Sequence, residues 1–166
     1  TLLRKMVNKN FIPEKLYKTI LEKMPIVCVD LIIAIDSGFL VVKRKNHPAK
    51  NQWWLPGGRV NRNESVHEAA VRKARQELGL EARVLRQAGV YDLRFPRGPL
   101  GIKNLHNIDF VLVLEPAAKW LGKLVSVGDY DKDYSDWKIS RVIEHGWHPY
   151  LITILKDAGF KMTERN

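Results

Sequence analysis

Only one cysteine, Cys28, occurs in the 166 residues, so no intrachain disulfide is possible. It sits in the apolar run PIVCVDLIIA, where a buried, inert thiol is expected, and a reducing, cytoplasmic setting is the expectation that goes with it. No apolar stretch approaches the ~18 residues that a membrane-spanning helix needs, and the first residues lack the pattern of a signal peptide, so a soluble protein without a membrane partner is expected. Repeats, low-complexity segments and a linker long enough to divide the chain are also missing. With 45% hydrophobic residues there is material for one substantial core and not for two, so residues 1–166 are expected to form a single domain. Acids are scarce too. Eighteen Asp and Glu stand against 28 Lys and Arg, a formal net charge of +10 that favours anionic partners. Nucleotides and nucleic acids both qualify on charge, as does a merely solvated basic surface. The basic residues are scattered and form no legible nucleic-acid motif, so nucleic acid is not the expected partner.

Periodicity supplies the elements. Leu16, Tyr17, Ile20, Leu21 and Met24 lie at helical spacing between Pro13, tolerated in a first turn, and Pro25, a stop, which predicts an amphipathic N-terminal helix. Ile26 to Ile35 and Gly38 to Lys43 are strand-like runs around Asp36-Ser37-Gly38 and read as a hairpin. Further strands fit Ala82 to Leu93 and Ile108 to Leu114, and His148 to Ala158 reads as a closing helix. A mixed sheet covered by helices on both faces is the α/β architecture this order suggests. The segments from Phe95 to Asn104 and from Ala117 to Asp133 read as long loops, the expected specificity elements.

The most informative segment is GGRVNRNESVHEAAVRKARQELGL, Gly57 to Leu80. Ser65 and Glu68 have the spacing of a capping box, and Gly79 suits a helix C-terminus, so a helix over Ser65 to Leu78 is predicted. At 100° per residue Val66, Ala70, Ala74 and Leu78 form its buried stripe. Glu77 falls among them. A carboxylate on the packed side requires a cation, a set of hydrogen bonds or a metal to offset its desolvation. Lys73, four residues before it, is one such cation; a divalent ion near a phosphate is another.

Gly58, five residues, Glu64, seven residues, Arg72, then Glu77, Gly79 and Leu80 resemble the box of the Nudix hydrolases, a family that cleaves nucleoside diphosphates linked to another group. Where the usual box has two further glutamates this chain has Lys73 and Gln76, which raises the formal charge by three units and disfavours a cluster of several Mg²⁺ ions. The reduced box, with PIVCVDLIIA and KRKNHPAKNQWWLPGGRV before it, resembles the GDP-mannose mannosyl hydrolase branch. The resemblance implies a Nudix-type α/β/α sandwich with a mixed β-sheet, a homodimer, one Mg²⁺, and a nucleoside diphosphate sugar as substrate. In that branch water attacks the anomeric carbon and GDP leaves. A Nudix pyrophosphatase acting at phosphorus, or a Nudix domain that binds nucleotide or RNA without turnover, are the alternatives.

The same resemblance implies the site. Gly57 and Glu77 match metal-holding positions, and Glu64, in or near the metal shell, is a catalytic candidate tied to Arg72. Arg44 and Arg59 match basic positions around the diphosphate, for which a guanidinium fork is suited. Asp30 matches an acid that contacts the sugar, and His106 and Asn107 lie where the branch supports the leaving diphosphate. Asp133-Tyr134-Ser135-Asp136-Trp137 is the nearest match to the branch's segment bearing a metal ligand and a general base. Tyr134 stands at the base position, where a phenol is a poor acceptor at neutral pH, while Asp133 can bind metal or receive a proton. Trp53 and Trp54 are expected to pack, although either has a face on which a base can stack.

Overall fold

A computed structural model describes residues 10–124 and 130–164. The N-terminal helix α1 covers Glu14–Lys23, with Pro13 just before it. Strands β1 (Ile26–Ile35) and β2 (Gly38–Arg44) form the expected hairpin. Ile35 pairs with Gly38, which leaves a two-residue turn with Asp36 and Ser37 both at positive φ, 49° and 62°. That is the twist a two-residue hairpin demands. Strands β3 (Trp53–Trp54) and β4 (Gly57–Arg59) then lead into α2 (Val66–Leu78). Ser65 accepts from the Glu68 amide, and the Glu68 side chain accepts from the Ser65 amide. Gly79 ends the helix in the left-handed region (φ 62°, ψ 25°). Both terminal signals act as the sequence predicts, because both are local.

Strands β5 (Ala82–Arg97) and β6 (Lys103–Pro116) form a long antiparallel pair. The loop expected over Phe95–Asn104 is corrected by this pairing. Phe95 pairs with Leu105 and Arg97 with Lys103, leaving a turn of five residues that contains a 3₁₀ turn at Pro99–Gly101. Leu93, Phe95 and Leu105 are buried, so the period-two pattern carries the strands past Pro96, which the sheet tolerates because β5 is an edge strand. The second expected loop is corrected in part. Residues 125–129 lie outside the described residues, but Tyr130–Asp133 form a short helix, α3, and Tyr134–Ser140 a strand, β7, antiparallel to β2. Helix α4 (Pro149–Asp157) closes the described chain, its first turn capped by the His148 ring, which accepts from the Tyr150 amide.

The sheet runs β3-β2-β1-β6-β5, with β4 on β1 and β7 on β2, and it is mixed because β1 and β6 are parallel. Alternation along β1 divides the core. Val29, Leu31 and Ile33 face α2 together with Ala70, Ala74, Leu78 and Tyr134. On the opposite face Ile32 packs with Phe39, Trp54, Leu151, Ile154 and Leu155 from the α4 side. This is the α/β/α sandwich expected. Val66 is only half-buried; Ala69 takes the position of full burial instead. No helix among the described residues is long and apolar enough to cross a membrane.

Candidate active site

The glycine turn is built by close approach. β4 lies antiparallel to β1, with Asp30 opposite Gly57 and Val29 opposite Gly58. A Cβ at Gly57 would stand 2.1 Å from the Val29 carbonyl oxygen and 2.7 Å from Asp30 Oδ1; one at Gly58 would stand 2.2 Å from Lys73 Cε. Only glycine lets the backbone pass between the sheet and α2 here.

Behind the turn lies Glu77, 2% exposed. Its Oε1 is 2.6 Å from Lys73 Nζ, while Oε2 accepts from the Gly57 amide (3.3 Å) and from the Tyr134 hydroxyl. The buried carboxylate therefore has a cation and two hydrogen bonds. Tyr134 is itself buried, and burial, with Glu77 beside it, pushes its phenol well above the ordinary value. A hydroxyl that donates to a carboxylate and resists ionisation cannot be the general base, so Tyr134, a catalytic candidate by position alone, is a support for Glu77 here, in keeping with the poor basicity expected of a phenol.

Glu64, at the entrance of α2, is tied to Arg72. Arg72 grips it with Nε to Oε1 at 2.5 Å and Nη2 to Oε2 at 2.8 Å, the Asn61 amide donates to it at 2.8 Å, and Arg72 Nη2 also reaches the Arg59 carbonyl at 3.0 Å. The guanidinium holds the Glu64 carboxyl below the usual carboxylate range. Glu64 straps the start of α2 to β4 and does not line the cleft beside the turn.

That cleft measures about 1140 Å³ and is lined by eight Lys or Arg against three Asp and no Glu. It exceeds the span of ordinary small-molecule pockets and has the charge of an anion receptor. Arg44 lines it, with Nε donating to the Pro48 carbonyl at 2.7 Å. Arg59 lines it from β4, with Nη2 donating to the Asn10 carbonyl at 3.0 Å and the guanidinium 5.2 Å from the Tyr17 ring. Asn107 and Asp133 line it as well. Asp133 accepts from Asn46 Nδ2 at 3.2 Å. His106 does not line it; its Nε2 is 2.9 Å from Asp92 Oδ1, an ion-pair geometry between β6 and β5, so its expected phosphate role is corrected to a strand contact.

Asp30 is 5% exposed and accepts from Trp54 Nε1 at 3.1 Å, which makes Trp54 a buried support and not a stacking platform. Beside Asp30 lies Asp109, 3% exposed, brought there by the parallel β1–β6 register that sets Cys28 against Asp109 and Asp30 against Val111. The two carboxyls are hydrogen-bonded to each other. Burial is the main cause that raises both, Asp30 to about 6 and Asp109 to about 9, so the pair holds one shared proton near neutrality. Both line the cleft. Asp109 is a site residue with only a faint sequence signal, a lone acid inside the apolar run IDFVLVL. Cys28, on the same wall, is half-buried and lines the cleft, while burial and the two aspartates push its thiol well up. It is inert as expected but not sealed in the core.

The donor set does not suit the Mg²⁺ expected from the box as an ion held by the protein alone. Glu77 is a single carboxylate already engaged by Lys73, Gly57 and Tyr134. Asp133 is occupied with Asn46. Among the described residues no three His, Cys, Asp or Glu side chains gather where they would hold a metal.

The NUDIX domain family model matches residues 24–151. The low-salt glycan biosynthesis protein Agl8 of Haloferax volcanii is 29% identical over 143 residues, 84% of this chain and 86% of that protein. An ADP-ribose pyrophosphatase of Methanocaldococcus jannaschii is 40% identical over 111 residues, 66% of this chain and 59% of its own length. Among solved structures, a MutT NUDIX hydrolase from Burkholderia pseudomallei superposes with a TM-score of 0.63 at 22% identity, covering 81% of this chain and 98% of that one, which shows a common fold. The glycine turn, the capped α2 with its buried glutamate and a match running through most of the sandwich place the chain in the Nudix family, as a Nudix hydrolase.

Proposed function

We propose that the chain hydrolyses a nucleoside diphosphate sugar, with GDP-mannose the leading candidate, by attack of water on the anomeric carbon and departure of GDP. The composition of the cleft carries this reading: fixed cations suited to a diphosphate face the glycine turn, beside a buried carboxyl pair suited to sugar hydroxyls. The likeness to Agl8, a glycan biosynthesis protein, supports the same substrate class. Eight Lys and Arg lining the same cleft as the glycine turn favour a small nucleotide over RNA.

In this reading Arg44 and Arg59 hold diphosphate oxygens, and Asn107 donates to the leaving group. Asp30 and Asp109 keep their shared proton between them, and Asp109 Oδ1, buried and without a hydrogen-bond partner among the described residues, accepts from a sugar hydroxyl. Asp133, on the cleft wall, takes the proton released as water adds to carbon. The bond from the anomeric carbon to the diphosphate oxygen breaks, and its electron pair leaves with GDP. Charge building on that oxygen meets Arg44, Arg59 and Lys73. Nudix hydrolases generally use a divalent metal; the donor that would hold Mg²⁺ here, Glu77, is already engaged by Lys73, the Gly57 amide and the Tyr134 hydroxyl, so the cleft cations take up the neutralising role of that ion. No step above depends on it.

Likeness to an ADP-ribose pyrophosphatase favours a second reading, attack at phosphorus. A panel of nucleotide sugars tested in ¹⁸O-water separates the two. Label in the released sugar, and none in the nucleoside diphosphate, is expected. Label on phosphate overturns carbon attack, and no turnover of any sugar nucleotide overturns the substrate class.

A further inference from the structure

We infer that Lys73 takes the place of the divalent ion in this box, so that the ammonium held on Glu77 binds the diphosphate and the chain takes nucleoside diphosphates without metal. The inference rests on the nucleotide reading above but concerns the charge that receives the phosphates.

Lys73 is unlike an ordinary surface lysine. Its side chain is 15% exposed, its Nζ sits 2.6 Å from Glu77 Oε1, and it still lines the cleft. The stem lies against the glycine turn so closely that a Cβ on Gly58 would meet Nζ at 2.8 Å. The ammonium is thus fixed between the one box glutamate on the packed side and the cleft. The other oxygen of Glu77 already receives two donors, the Gly57 amide and the Tyr134 hydroxyl, whose hydrogens point at the carboxylate. An ion seeking Glu77 would have to expel a tethered cation and face those hydrogens. Tethering matters. Lys73 is on the same helix four residues away, so its pairing with Glu77 is intramolecular and any metal must compete with it.

Charge supports the exchange. The Lys73–Glu77 pair is neutral, so it adds no negative charge to a cleft in which Arg44 and Arg59 already supply two positive charges for a diphosphate. An ammonium is a compact point charge with three donors, one spent on Glu77, so it can meet a phosphate oxygen as a phosphate-binding lysine does.

Calorimetric titration of the full chain with inorganic pyrophosphate and with GDP, in excess EDTA and then in excess Mg²⁺, tests this. Both probes are expected to bind in EDTA, with affinity altered by Mg²⁺ less than about tenfold. Lys73→Gln should lose about tenfold or more in EDTA while Lys73→Arg keeps binding, a rescue that separates charge from folding. Electron paramagnetic resonance should find no tight Mn²⁺ site in the native chain and a gained one in the Lys73→Glu, Gln76→Glu double variant. Binding of both probes only with Mg²⁺, a tight Mn²⁺ site in the native chain, or unchanged affinity in folded Lys73→Gln each overturns the inference. GDP binding that needs Mg²⁺ sinks it while sparing the nucleotide reading. Pyrophosphate binding in EDTA through Lys73, without turnover of any nucleotide sugar, leaves it standing and sinks that reading.

Discussion

Replacing Glu77 by Gln should destabilise the protein, although the two side chains have nearly the same shape. Glutamine still offers one oxygen to the Gly57 amide and the Tyr134 hydroxyl, so those hydrogen bonds survive. What disappears is the charge opposite Lys73, 2.6 Å away with both side chains largely buried. Removing one partner of a buried ion pair costs roughly 3–5 kcal/mol, because the other charge is left uncompensated. Lys73 reaches the cleft, where water can solvate it, so the low end, about 3 kcal/mol, applies here. For a chain of this length, each kcal/mol corresponds to about 2–4 °C, which predicts a melting temperature lower by roughly 6–12 °C. The double variant Lys73→Met, Glu77→Gln buries no unpaired charge and should recover at least about 2 kcal/mol of that loss. Thermal melts and urea titrations of the native chain, both single variants and the double variant, all in EDTA, complete the cycle. A folded Glu77→Gln protein melting within about 1 °C of the native chain, with additive single-variant effects, would refute the coupled pair.

Two further outcomes follow from the cleft. Asp109→Asn mimics a carboxyl already held protonated, and the sign of its pH effect is fixed. The folded value is raised from an ordinary 3.8 to about 9, so this group's stability is fully present below 3.8 and lost as pH rises through about 9. Asp30 acts in the same direction between 3.8 and about 6. Urea midpoints should therefore fall more steeply with pH in the native chain than in Asp109→Asn, and parallel curves would contradict a shared proton. At the rim, Asp133→Asn should lower kcat by about 10² or more, while Tyr134→Phe, losing a donor to Glu77, should cost about 2 kcal/mol of stability and leave most of kcat. The reverse order in steady-state kinetics and melts would move the proton transfer to the phenol.

What the sequence makes legible is what local chemistry decides. The capping box, Gly79 and the two-residue turn each act within a few residues, and α2 and the β1–β2 hairpin stand where those signals put them. Misread segments depend on partners far along the chain. Pro96, Gly98 and Gly101 resemble a loop until β6 lies beside β5, and the strand over Tyr134–Ser140, to which the sequence pattern assigns no element, is ordered by pairing with β2. The site divides the same way. Asp30, Arg44, Gly57, Arg59, Asn107 and Asp133, separate in sequence, all line one cleft. Glu64 is held by Arg72, the partner the resemblance already gives it, whereas His106 and Tyr134 are turned to internal partners, Asp92 and Glu77, that only the fold discloses. Asp109 becomes visible once β1 and β6 are known to be parallel neighbours, since nothing local distinguishes it from a misplaced surface acid.

The two departures in the box have one physical consequence. With glutamates at Lys73 and Gln76, α2 would present three carboxylates near the glycine turn, and their mutual repulsion would demand an external cation. Here each acid of the box has a basic partner on the same helix: Lys73 holds Glu77, and Arg72 holds Glu64. Gln76, neutral, accepts from Arg72 Nη1 at 2.9 Å and so fixes the guanidinium that ties Glu64 and the Arg59 carbonyl. Neutralisation of these acids is thus encoded in covalently attached cations. It follows that the positive charge left over in the cleft, on Arg44, Arg59 and Lys73, has fixed positions set by β2, β4 and α2. A diphosphate bound there would be received by geometry built into the chain and not by an ion that arrives with it.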